Sequence, residues 1–73
     1  MAKNPFAQIV GENIVRHATG SGISFKQLAK ALNVQEETLR KWITGERMIT
    51  VYGLVRVSKE LGTTMEQLTN GIN

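Results

Sequence analysis

Apolar residues return every three or four positions along most of the chain, and nowhere do they alternate long enough to mark a strand. Phe6, Ile9, Val10, Ile14 and Ala18 fall at helical spacing. Asn4-Pro5 ahead of them supplies an N-cap and then a proline in the first turn, where its missing N–H costs nothing. Gly20-Ser21-Gly22 ends this first helix in a flexible connector. Ser24 opens a second helix, Gln27 three residues later completes a capping box, and Leu28, Ala29 and Leu32 form its apolar face. Asn33 suits the left-handed residue of a tight turn, and Val34 plugs the corner. A third helix is expected from about Gln35 to Thr44, with Leu39 and Trp42 inward and Gly45 closing it. Thr50 caps a fourth, carrying Val51, Leu54, Val55 and Leu61 and ended by Gly62. Tyr52 and Val57 lie off that stripe, where they offer a dimer face. Thr64 caps a short fifth helix with Gln67 in the capping-box place, Met65 and Leu68 inward, and Asn70-Gly71 as its stop. The pattern predicts an all-α fold, five helices in a single domain spanning residues 1–73.

Composition narrows the chemistry. A chain of 73 residues is near the lower end of what folds unaided, and without cysteine it has neither disulfide nor thiolate zinc site to brace it. Helix packing must supply a stability of only a few kcal/mol. Nine Lys/Arg against six acids, all of them Glu, leave a net charge of +3, which favours nucleic acid or an acidic partner without deciding between them. No apolar run approaches the roughly 20 residues of a membrane span, and the N-terminus has no signal-peptide core, so a soluble cytoplasmic protein is expected. Enzymatic roles have little to work with: there is one histidine, His17, no cysteine, no aspartate, and no Lys-Ser/Thr after Gly20-Ser21-Gly22 to make a phosphate loop. No metal site, cofactor or small-molecule ligand is called for.

Two short helices joined by a tight turn, the second amphipathic and basic, form the helix-turn-helix pattern, here across about residues 24–44. The stretch FKQLAKALNVQEETLRKWITGE resembles the helix-turn-helix of the phage repressor and Cro (Xre-like) regulators, through Leu28-Ala29, the Asn33-Val34 turn, Leu39, Trp42 and Gly45. LVRVSKELGTTMEQLTNG resembles the closing helices of the same family, through Leu61-Gly62, Thr64 and Leu68, so the likeness runs roughly from Phe6 to Gly71. The resemblance implies a compact five-helix lambda-repressor-like domain whose third helix enters the major groove of double-stranded DNA, as a homodimer. Carried over by position, Gln35, Glu36, Glu37, Arg40 and Lys41 face the base edges. Ser24 and Lys26 at the start of the second helix, with Thr44 and Arg47 after the third, meet phosphates.

The chain departs from the family pattern at four places. Phe25 stands where the family has a glutamine that anchors the DNA backbone; it either packs against the first helix or is exposed to an apolar partner. Ile43 and Ala18 replace a Glu–Arg pair, an exchange of a partly buried ion pair for apolar contact that is often neutral or stabilising. Glu46 sits where a cation commonly contacts phosphate, beside a compensating Arg47. Finally, Glu36 and Glu37 bring negative charge to the reading helix. Acids in a first turn suit the helix dipole, by about 0.3–1 kcal/mol each, and both have an i,i+4 partner in the favourable order, Arg40 and Lys41. They leave the electrostatic drive from Lys26, Lys30, Arg40 and Lys41 small. A second function is therefore carried forward: an antirepressor that docks on a co-encoded repressor, its acids pairing with basic residues there and Phe25 and Ile43 acting as apolar anchors.

Overall fold

In the computed structural model, which describes residues 4–71, four of the five helix starts carry the side-chain cap that the sequence suggests, and only the third helix starts without one. The first three and last two residues of the 1–73 domain lie outside the described residues. Helix α1 (Pro5–Gly20) begins at Asn4, whose Oδ1 accepts from the backbone N–H groups of Phe6 and Ala7 at 2.9 and 3.3 Å. Helix α2 (Phe25–Leu32) starts in a complete Ser24–Gln27 capping box, with reciprocal bonds of 3.1 and 2.9 Å. Helix α3 (Glu36–Thr44) follows, then α4 (Val51–Leu61) capped by Thr50 and α5 (Met65–Leu68) in a second capping box built on Thr64. Gly45 and Gly62 end α3 and α4 at positive φ, 85° and 65°, as helix-closing glycines do.

The core lies where all five helices converge. Ile14, Leu28, Leu39, Val57 and Leu68 are almost wholly buried and come one from each helix. Each such side chain contributes about 1.5–3 kcal/mol relative to exposure, which is what a small chain without cross-links depends on. Helix α1 packs most closely on α3, and the approach is tightest at Gly11, where a Cβ would overlap the Ile43 carbonyl oxygen. Asn13 is 2 % exposed, and its Nδ2 donates to the carbonyls of Leu68 and Asn70 at 2.8 and 2.9 Å, tying the C-terminal turn to α1.

Several apolar positions differ from the sequence reading. The inward stripe of α1 is Ala7, Val10, Gly11, Ile14 and Ala18, whereas Phe6 is half exposed and Ile9 only half-buried. Within that stripe, Gly11 lies where α3 approaches too closely for any side chain. On α4, Val57 is fully buried and Val51 is exposed, so Val57 belongs to the core and offers no dimer face; Tyr52 remains exposed. Met65 is also exposed, leaving Leu68 as the inward residue of α5. Ile49, in the loop before α4, joins the core although no periodic pattern marks it.

Candidate nucleic-acid interface

The turn between α2 and α3 fixes how the two helices present themselves. Asn33 adopts the left-handed conformation (φ 57°, ψ 43°), and the Val34 N–H donates back to the Ala29 carbonyl at 3.1 Å. Val34 packs on the core from that corner, as Leu39 and Trp42 do from the inner side of α3. Trp42 is a core residue and no stacking platform, although its indole N–H has no hydrogen-bond partner. Beyond α3, the N–H groups of Gly45 and Arg47 both donate to the Lys41 carbonyl, at 3.1 and 3.2 Å, folding the loop back onto the helix end. On the other side, an Arg56 guanidinium N–H donates to the Ala31 carbonyl at 3.1 Å and so ties α4 to the last turn of α2. The sequence reading missed this brace. A side chain reaching a carbonyl 25 residues away leaves no trace in periodicity.

With the inner face committed to the core, the outer edge of α3 carries the expected residues. Gln35, Glu36, Glu37 and Arg40 are exposed and Lys41 is half-buried. Gln35 occupies the N-cap of α3 but makes no side-chain cap bond, so its amide is uncommitted. Lys26, Lys30, Gln35 and Glu36 line one open depression of about 370 Å³ between α2 and α3. Ser24 is exposed at the start of α2, its Oγ accepting from the Gln27 N–H. Thr44 is half-buried, and its hydroxyl donates to the Glu46 carboxylate at 3.1 Å, so it must release Glu46 before it can reach a phosphate. Arg47 is exposed in the following loop.

Two sequence expectations change here. The pairs Glu36–Arg40 and Glu37–Lys41 do not close as salt bridges. The Arg40 guanidinium instead lies over the Phe25 ring, 5.4 Å from its centroid. Phe25 in turn is half-buried against the core, as is Ile43. Of the two readings of Phe25, packing is therefore the one realised. Ala18 and Ile43 meet in a common apolar cavity of about 80 Å³, so the apolar residues standing in for the family's ion pair do come together.

Among the described residues there is no group of three or more His, Cys, Asp or Glu side chains that could hold a metal ion, and no helix is long and apolar enough to cross a membrane. The structure is similar to the restriction-modification controller protein C.AhdI from Aeromonas hydrophila, with a TM-score of 0.79 at 16 % identity, covering 85 % of this chain and 94 % of that one. It is also similar to the clp gene regulator ClgR from Corynebacterium glutamicum, with a TM-score of 0.84 at 18 % identity, covering 92 % and 71 %. At these identities the likeness is one of fold. HppE, described in complex with Co(II) and substrate, matches at a TM-score of 0.82 and 25 % identity, but over only 38 % of its length against 93 % of this chain. No curated protein sequence matches the chain. A helix-turn-helix family model, HTH_3, matches residues 20–68, two thirds of the chain, from the end of α1 through α5. That span contains the capped α2, the left-handed turn at Asn33 and the exposed edge of α3, and the chain belongs to the HTH_3 helix-turn-helix family.

Proposed function

We propose that this protein is a small transcriptional regulator of the repressor and Cro kind, which binds operator DNA through α2 and α3 as a homodimer on paired half-sites. The observation that carries the reading is the outer edge of α3. Gln35 and Arg40 leave their donors uncommitted there, with Lys26, Lys30 and Arg47 on either side to attract the phosphate backbone. Gln matches the adenine edge and Arg the guanine edge, while a carboxylate such as Glu36 or Glu37 can accept from cytosine N4. Ser24 and Lys26 on α2, with Thr44 and Arg47 beyond α3, serve the backbone.

The competing reading, an antirepressor docking on a co-encoded repressor, draws on the exposed carboxylates Glu36, Glu37 and Glu46. Its apolar anchors are weaker than the sequence suggested, because Phe25 and Ile43 are packed against the core. A salt titration separates the two. Labelled duplex from beside the protein's own gene is expected to bind at low salt and to weaken steeply as salt rises. No binding at low salt, together with tight binding to the co-encoded repressor, would sink the DNA reading.

A further inference from the structure

The contact between Arg40 and Phe25 joins the two helices of the motif through side chains that neither the capping pattern nor the apolar stripe requires. Phe25 is the first residue of α2, directly after the Ser24 cap. Its ring packs on the core and lines the cavity of about 80 Å³ together with Ile14, Ala18, Leu28 and Ile43. The ring is thus held from below. Arg40, exposed on α3, lies over the ring with the guanidinium carbon 5.4 Å from its centroid.

This geometry answers a difficulty of the reading helix. Glu36 stands one turn before Arg40, in the order that favours an ion pair. A bidentate salt bridge would occupy the guanidinium's planar fork of N–H donors, the same fork that recognises a base edge. A cation–π contact attracts the charge through the ring's quadrupole and consumes no donor. An aromatic ring at position 25 therefore competes with Glu36 for the charge of Arg40 while leaving the donors of Arg40 free.

We infer that Phe25 is a positioning residue for DNA recognition: it holds Arg40 off Glu36 so that its guanidinium fork can take the O6 and N7 acceptors of a guanine in the major groove. This rests on the DNA-binding reading above and adds to it a named base and a named support. Phe25 itself touches no DNA in this arrangement. It replaces direct contact to the phosphate backbone with control over a neighbouring reader.

The test uses a duplex that the wild-type protein selects from a randomised pool, with every base of the selected site then varied in turn. Phe25→Leu keeps an apolar side chain against the cavity but removes the ring; Phe25→Tyr keeps the ring. Phe25→Leu is expected to bind the selected duplex about two- to fivefold more weakly, the range of an exposed cation–π contact. The loss should concentrate at one guanine position, with the salt dependence unchanged. Phe25→Tyr should restore both affinity and the guanine preference. In the free protein, the Arg40 side-chain protons should show an upfield ring-current shift in wild type and Phe25→Tyr that is absent in Phe25→Leu. Arg40→Lys, an exposed change that spares the fold, keeps the charge but not the fork, and should abolish the guanine preference. A Phe25→Leu variant with wild-type base preference, or one weakened equally against every duplex, overturns the role. So does an Arg40→Lys variant that still prefers guanine, whatever the fold of Phe25→Leu. A wild-type protein that binds no duplex at low salt overturns the DNA reading itself, and this role with it.

Discussion

Gly11 is the residue on which the seating of α3 depends. Any side chain there meets the Ile43 carbonyl, a backbone atom that cannot rotate away, so α1 and α3 would have to separate. Gly11→Ala is expected to destabilise the fold by about 2–3 kcal/mol, at the upper end for overpacking, although alanine is the better helix former. Urea unfolding measures this, and an unchanged midpoint would show that the helices do not approach so closely in solution. Asn13 poses a different problem, since it is buried and polar in the middle of an apolar face. Its two hydrogen bonds hold the carbonyls of Leu68 and Asn70. Asn13→Ala orphans acceptors as well as leaving space, and should cost about 1–3 kcal/mol. Hydrogen exchange should locate the damage: amides of α5 open faster, while those of α2 and α3 change only with global stability.

Within α2 and α3, local chemistry sets the angle at which the motif presents itself. Asn33 is the one described non-glycine residue at positive φ, and it joins the two helices. Asn33→Gly should leave thermal stability nearly unchanged. Asn33→Val should cost about 1–2 kcal/mol, because a β-branched side chain is strained in the left-handed region. Equal melting temperatures for the two variants would mean that the turn relaxes. The first turn of α3 makes a sharper comparison, since its acids have two separable roles. Replacing Glu36 and Glu37 together with Gln removes favourable charge from the helix N-terminus, a loss of about 0.3–1 kcal/mol for each. The same change removes negative charge from the exposed edge of α3, so on the proposed mode of binding affinity for duplex at low salt should rise while thermal stability falls. If both fall together, the carboxylates contribute to DNA contact directly.

At the scale of the whole molecule, charge distribution governs how the protein meets a polyanion. The net charge is only +3, and Glu36, Glu37 and Glu46 lie on or beside the helix-turn-helix surface. Attraction to DNA therefore comes from a few cations acting locally, not from a strong overall field. Each phosphate neutralised contributes about 0.9 to the slope of log affinity against log salt. Arg47→Ala should reduce that slope by about 1 and weaken all sequences alike, since a phosphate contact carries no base information. A change in base preference on losing Arg47 would move that residue from the backbone to the groove.

The sequence determined the helices by itself. Caps, closing glycines and apolar spacing are encoded within a few residues of each helix end, and a short peptide feels the same local forces. The resemblance to the repressor and Cro regulators, carried over by position, marked Gln35, Glu36, Glu37, Arg40 and Lys41 as outward, and all but the half-buried Lys41 are exposed. The tertiary structure decided the rest. Whether Val57 or Val51 faced the core depended on where α4 docked, and the need for a bare glycine at position 11 depended on how closely α3 approached α1. The partner of Arg40 was settled in the same way. A sequence lists Glu36 one turn away, but only folding sets the Phe25 ring beneath the guanidinium, because that contact joins two helices whose distance and angle no local pattern encodes.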